Sequence, residues 1–347
     1  MELKNKYAIG CLIMFYEIEM MKDWVQGILN MTKDVKNKEN IILDIHFSTD
    51  ENFEEIDTNK ISVGELQNQF MKQIKILNDS GIININRHGK YIKYKKFTWW
   101  GIEPMSIARY RREFTNKYAN EVDYIMWGET DSFFPAETFQ VMEQIAAHSS
   151  KSNIHKYVVS FAYRKMWDKG WRILEHPEFM QLEYIDTDEW TSNNIASEKC
   201  YMSIRQMNQL NEKSTHEGFD LMGFDEPKFD GSCICFSSEL VKSGITLPHA
   251  LLMSGEDTAF GWMAKKVLGN NYTQYHVRNL LRVHNRRHPK KRLYIKGENN
   301  PKGFCGESDK GKWWKIMENM SKENLANLDN PRFKFHTWKD VFEKINA

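Results

Sequence analysis

Val122-Asp123-Tyr124-Ile125-Met126-Trp127-Gly128-Glu129-Thr130-Asp131 is an apolar strand that runs straight into two carboxylates one residue apart, and it decides the fold class of this chain. Phe133-Phe134-Pro135 follows and buries the exit of the turn, with a helix expected to begin near Pro135. When a buried strand ends in an acidic-x-acidic turn, both carboxylates can leave the sheet together and face one hard divalent cation with its bound phosphates. The bland alternative is a solvated loop, since acids are common after strands. Asp131 is placed to reach Mn2+ or Mg2+ directly, whereas the longer Glu129 can bind through water or touch a ribose. A nucleotide-using enzyme is the leading expectation.

Composition bounds the rest. A chain of 347 residues, 41% hydrophobic, can bury one large core or two modest ones, and disorder is excluded as a general state. Lysine plus arginine (48) nearly cancel aspartate plus glutamate (47), so no global field recruits nucleic acid or an anionic membrane. Five scattered cysteines, Cys11, Cys200, Cys233, Cys235 and Cys305, lack the C-x-x-C spacing of a zinc site and read as reduced thiols of a cytoplasmic protein. The apolar run Tyr7 to Tyr16 is shorter than a membrane span and is followed by Glu17 and Glu19, so neither a signal peptide nor an integral membrane segment is expected.

Outward from the acidic turn, the first half alternates strand and helix in the way that builds a mostly parallel sheet covered by helices. Strands are expected at Tyr7 to Phe15, Ile41 to Phe47 and Ile82 to Ile85. Helices are expected over Glu17 to Met31, Gly64 to Asn78 and Ser106 to Tyr118, the last capped by Ser106. From about Lys151 the chain is more polar. Strands are expected at Tyr157 to Tyr163, Met180 to Ile185, Cys233 to Phe236, Gln274 to Val277 and Leu281 to His284. Helices are expected around Tyr201 to Leu210, Ser237 to Lys242, Glu256 to Leu268 and Lys312 to Met320.

Three further places carry possible chemistry. Gly255-Glu256-Asp257 sets two carboxylates at a helix start, where acids also simply complement the helix dipole; consecutive residues point about a quarter-turn apart, so Asp257 can enter a cleft as general base while Glu256 is held by backbone or substrate hydroxyls. Arg282 to Arg292 is the densest cationic run. A charge run is usually a solvated face, but this one follows a short strand, so His284 could bind metal and Arg286, Arg287 and Lys290 could neutralise a leaving diphosphate. Arg109 and Arg112 share a helix face, either as a surface salt-bridge stripe with Glu113 or Glu121 or as contacts to a nucleotide. Trp100, beside Gly101, is the candidate among the tryptophans for a sugar platform.

Taken in order, the strand exit Phe15-Tyr16-Glu17, the Ala108-Arg109 helix, the turn Met126 to Asp131, the Gly255-Glu256-Asp257 helix start and the late His284 resemble a GT-A glycosyltransferase of the family-2-like, inverting kind, over roughly residues 5 to 295. The resemblance implies a GT-A, Rossmann-like mixed sheet with helices on both faces and an acceptor-side extension. It implies a catalytic domain over 1–295, with a nucleotide-sugar half to about 150 and an acceptor half beyond, and a C-terminal helical extension over 296–347. Metal and donor diphosphate fall to Glu129 and Asp131, with His284 as the late metal ligand and Thr130 between them. The remaining donor contacts fall to Phe15, Tyr16, Glu17, Asp50, Arg109, Arg112, Arg286 and Arg287, and acceptor contacts to Trp100, Gly231 and Glu256. The motif opens on glutamate where the family's DxD motif has aspartate. No Gln-x-x-Arg-Trp sequence follows the Glu-Asp pair, which implies single-sugar transfer rather than processive synthesis.

The expected reaction moves one sugar from a nucleotide-diphosphate sugar, by default a UDP-sugar, to a carbohydrate or glycan hydroxyl with inversion, Asp257 taking the acceptor proton. A sugar nucleotidyltransferase would also use such a sheet, but no glycine-rich phosphate loop follows the first strand. A noncatalytic carbohydrate or nucleic-acid binding module explains neither acidic pair. A metal hydrolase using His284 and His288 needs a helix that Asn285 and Pro289 disfavour.

Overall fold

The computed structural model describes residues 1–48, 62–90, 99, 101, 103–165, 176–179, 202–224, 230–253, 255–285 and 309–347. Among them the strands are β1 (Tyr7–Met14), β2 (Ile41–Ser48), β3 (Asn84–Lys90), β4 (Tyr124–Gly128), β5 (Ser132–Phe133), β6 (Tyr157–Lys165), β7 (Leu221–Phe224), β8 (Cys233–Ser237) and β9 (Thr273–His284). They form one sheet in the order β3-β2-β1-β4-β8-β6-β9-β5, with β7 also on β9. The strands β3, β2, β1 and β4 are mutually parallel and β9 is parallel to β6, while β8 runs against both of its neighbours. The helices are α1 (Met21–Thr32), α2 (Val63–Asp79), α3 (Ile107–Tyr118), α4 (Thr138–Lys151), α5 (Ile204–Ser214), α6 (Ser238–Lys242), α7 (Glu256–Leu268), α8 (Asp309–Ala326) and α9 (Trp338–Asn346). The chain thus has the mixed α/β, mostly parallel architecture that its sequence implies.

The two-residue period of a strand divides the core between the two faces. Tyr7, Ile9, Cys11 and Ile13 of β1, with Tyr124 and Met126 of β4, meet Trp24 and Ile28 of α1, Leu66 and Phe70 of α2, and Phe139 and Met142 of α4. Ala8 and Leu12, with Ile125 and Trp127, meet Ala108 and Phe114 of α3 and Phe260 of α7 on the other face. Because both faces are covered, these strands carry continuous apolar runs instead of alternating ones. The C-terminal helices form a smaller core of their own, in which Met317, Trp338, Val341 and Phe342 pack with Leu252.

Several elements differ from their sequence expectation. The helix expected from Glu17 begins as a 3-10 turn over Phe15–Met20, in which the Glu17 carboxylate turns back to accept from the Met14 N–H (3.5 Å). The third strand starts later than Ile82 and is polar, as suits an edge with β2 as its one partner among the described residues. The two pieces expected at Gln274 and Leu281 are one strand, β9, whose pairing with β6 jumps from Phe161↔Val277 to Ala162↔Leu281. Asn279 anchors the jump: its amide donates to the carbonyls of Ser214 and Gly218 (both 2.8 Å) and accepts from the Asp220 N–H (2.8 Å). The short strands β5 and β7 carry no signal that periodicity resolves, whereas α9 repeats Trp338, Val341, Phe342 and Ile345 at helical spacing behind a Thr337–Asp340 capping box, a pattern the sequence reading did not use. The strand expected at Met180 lies outside the described residues.

No helix among the described residues is long and apolar enough to cross a membrane. Cys11, Cys233 and Cys235 are free and buried.

Candidate metal centre and catalytic cleft

The acidic turn leaves β4 at Gly128 and re-enters the sheet at once as β5, which pairs with the end of β9: Ser132 opposes His284 and Phe133 opposes Val283. Two further bonds close this junction, from Asn285 N–H to the Asp131 carbonyl (2.6 Å) and from Ser132 Oγ to the Val283 carbonyl (3.1 Å). This ladder brings a histidine from late in the chain against the turn. His284 Nε2 stands 3.3 Å from Glu129 Oε2 and 3.2 Å from Asp131 Oδ1, and one ligand atom from each of the three residues lies within 4.8 Å of the others.

Neighbouring ligands of an octahedral ion with bonds near 2.1 Å are separated by about 3 Å, so these spacings fit one small divalent cation. Two carboxylates and an imidazole are a donor set for Mn2+ or Mg2+, with the remaining positions open to water or phosphate oxygens. Tyr163 Oη lies 3.2 Å from His284 Nδ1 and also bonds the Asp230 side chain. Asp230 is in turn paired with the buried Arg282 (2.9 Å), whose guanidinium lies 3.8 Å over the Tyr163 ring. A Tyr163 hydroxyl that accepts from Nδ1–H and donates to Asp230 would hold the imidazole in the tautomer that presents a bare Nε2 to a cation.

The opposite wall is the start of α7. Gly255 precedes it at φ 83, a left-handed conformation that glycine adopts without strain, and this corner turns Glu256 and Asp257 into the cleft. Arg111 of α3 sits between the two walls. Its Nη2 donates to Glu129 Oε1 (2.7 Å), its Nη1 donates to Glu256 Oε1, and its guanidinium lies 4.9 Å over the Trp127 ring. Asp257 is held by neutral donors, accepting from the N–H groups of Gly231 (3.2 Å) and Thr258 (2.7 Å). The two neighbouring carboxylates are therefore distinct: Glu256 is committed to a cation, whereas Asp257 accepts from two amides and from the Thr258 hydroxyl (3.4 Å). Burial pushes Glu256 up to about 7, with Arg111 pulling the other way. Burial also raises Asp257, and the nearby Asp230 charge adds to it.

Gly231 lies on the stretch leading into β8, beside the turn because Cys233 pairs with Gly128. A Cβ there would clash with Arg111 Nη1 and stand 3.0 Å from its Cζ and 3.2 Å from Asp257 Cβ. Gly231→Ala is expected to destabilise the protein by about 1–3 kcal/mol, as overpacking of a filled site does, and a thermal melt against the parent checks it.

Of the other expected site residues, Thr130 donates to Glu17 Oε2 (3.1 Å), which ties the exit of β1 to the acidic turn. Phe15 is buried in the core, and Tyr16 lies in the 3-10 turn. Arg109 pairs with Glu113 (2.7 Å) and Arg112 donates to the Pro248 carbonyl (3.1 Å), both away from the acidic cluster. Asp50, Trp100, Arg286 and Arg287 lie outside the described residues, as do Lys290 and His288. Sequence reasoning passed over Arg111, Tyr163 and Asp230, and it read Arg282 only as part of a charge run.

No family model and no curated relative matches the chain. Solved structures do resemble it. A mannosyltransferase from Pyrobaculum calidifontis in complex with GDP-Man and Mn2+ aligns at 10% identity and TM-score 0.45, covering 99% of this chain and 69% of that one. TarS 1-349 of S. aureus in complex with UDP-GlcNAc aligns at 10% identity and TM-score 0.46, covering 98% and 71%. GalNAc-T7 with UDP, GalNAc and Mn2+ aligns at 9% identity and TM-score 0.47, covering 99% and 55%. All three are distant, and the chemistry of the site rests on this chain's own residues.

Proposed function

We propose that this protein is a metal-dependent glycosyltransferase that moves a single sugar from a nucleoside-diphosphate sugar to an acceptor hydroxyl with inversion. The convergence of Glu129, Asp131 and His284 on one point, joined through Arg111 to Glu256, the neighbour of Asp257, carries this reading. Mn2+ or Mg2+ held by the three residues would supply positive charge to the diphosphate as it departs. The chain's own groups do the rest. Asp257 accepts the proton of the acceptor hydroxyl at one carboxylate oxygen, and its raised affinity for that proton makes it a stronger base than an ordinary aspartate. Glu256, tied to Arg111, keeps the first turn of α7 in place. The face of the sugar opposite the diphosphate is left to the acceptor, which gives inversion.

In this reading residues 1–295 are the catalytic unit and 296–347 a C-terminal helical extension. The donor is a UDP-sugar by default, the acceptor a carbohydrate, and the compartment cytoplasmic. Calorimetric titration with uridine and guanosine diphosphates, with and without Mn2+, tests the donor site, and the anomeric configuration of the product by NMR tests the stereochemistry. Metal-dependent binding of one nucleotide and an inverted product are expected. No binding to either nucleotide, with or without metal, would sink the proposal.

A further inference from the structure

Arg111 is 1% exposed, although arginine is among the residues least often buried. It stands on the stripe of α3 that also carries the buried Ala108, Thr115 and Tyr118, a position that would ordinarily hold an apolar residue. Burying a guanidinium is costly unless its charge and its donors are matched; here two carboxylates on different elements match its charge and both terminal nitrogens, while Nε is buried with no hydrogen-bond partner among the described residues. One is Glu129 of the acidic turn and the other is Glu256, the neighbour of Asp257. The site is cut to fit it: the missing Cβ of Gly231 is the space into which Nη1 extends, and Trp127 supplies the ring over which the guanidinium lies.

We infer that Arg111 is a positioning residue that sets both the metal centre and the base. It engages Glu129 through Oε1, which leaves Oε2 turned toward His284 Nε2 and so presents one oxygen to the cation. Through Nη1 it fixes Glu256, and with it the first turn of α7 from which Asp257 projects. The distance between cation and base is thereby fixed by one rigid, planar group. A divalent cation would offset Glu129 and Asp131, while Arg111 is paired with Glu256 and Arg282 with Asp230. Lysine cannot replace arginine in this role, because an ammonium is a point charge without the fork that holds two carboxylates in fixed orientation.

The inference rests on the metal-dependent reading, and its test separates the two. Mn2+ binding by the full chain without substrate, followed by electron paramagnetic resonance of the free ion, is compared for the parent, Arg111→Lys and Arg111→Met, with thermal melts alongside. In both variants Mn2+ affinity is expected to fall about 10- to 100-fold, the usual size for loss of a group that orients a metal ligand. Arg111→Lys, which keeps the charge, is expected to recover the melting temperature more than the Mn2+ affinity, and to lower kcat more than it raises the donor KM. A folded Arg111→Lys variant with parental Mn2+ affinity and parental kcat would overturn the inference while leaving the metal-dependent reading intact. A parent that binds no Mn2+ would overturn both. Gly231→Ala displaces the guanidinium without altering its chemistry and is expected to weaken Mn2+ binding in the same direction; unchanged binding in that variant counts against the inference even if Arg111→Met fails to fold.

Discussion

Asp131→Ala is expected to abolish the Mn2+ dependence of nucleotide binding and to lower turnover by about a thousandfold. Asp131 is nearly buried and its Oδ1 lies 3.2 Å from His284 Nε2, so its loss removes one of the three candidate ligands. A cation that neutralises a departing diphosphate contributes several kcal/mol to the transition state, and about 4 kcal/mol corresponds to the factor given. The effect on folding runs the other way. Glu129 and Asp131 are like charges held close together, so without metal the variant is expected to melt no lower than the parent. Added Mn2+ should raise the melting temperature of the parent and leave that of the variant unchanged, because a ligand stabilises only the protein that binds it. A variant that retained the shift would refute the assignment of Asp131.

Asp257→Asn is expected to lower kcat by about 10²- to 10⁴-fold, the usual worth of a positioned base, while leaving Mn2+ and nucleotide affinity at parental values. Asparagine keeps an oxygen to accept from the Thr258 N–H, so α7 should start as before. The pH profile gives a second readout. A base must be ionised to act, and burial together with Asp230 raises the pKa of Asp257, so kcat/KM should fall as the pH drops through an apparent pKa above the usual aspartate range and level off above it. The asparagine variant should lack that limb. Parental turnover in the variant, or a product of retained configuration, would remove Asp257 from the role.

Both predictions concern residues visible in the sequence by type, and the contrast with Arg111 shows what made them so. Glu129, Asp131 and His284 stand at the ends of the apolar strands β4 and β9, and such runs are legible because both faces of the sheet are covered. Ser106 was likewise legible as a cap, since it accepts from the Arg109 N–H (3.1 Å) as the local pattern requires. What joins the three ligands was not legible: β5 is two residues long, too short for any periodicity, yet it seats Ser132 opposite His284. Arg111 was hidden by its chemistry. Among three arginines in four positions, charge favours the surface for all, yet Arg111 and Arg112 are both buried, and only the spacing of 108, 111, 115 and 118 marks Arg111 as inward. The polar half after Lys151 gave least, because its order depends on side-chain bonds such as those of Asn211 and Asn279 to distant backbone.

The irregularity in β9 governs which face of the sheet its end presents. Val277 pairs with Phe161, and in an unbroken strand Asn279, Leu281 and Val283 would follow it on that face; the three residues 278–280 instead shift the pairing so that Arg282 lies beside Tyr163 and His284 beside Lys165. The histidine of the candidate metal triad and the arginine that pairs with Asp230 thus owe their orientation to parity. A change of one residue in this segment would exchange them for Leu281 and Val283, which now fill a separate apolar cluster, whereas a change of two would preserve the pattern. Even steps in length are expected to keep this face of the sheet, provided the Asn279 amide keeps its bonds to Ser214, Gly218 and Asp220.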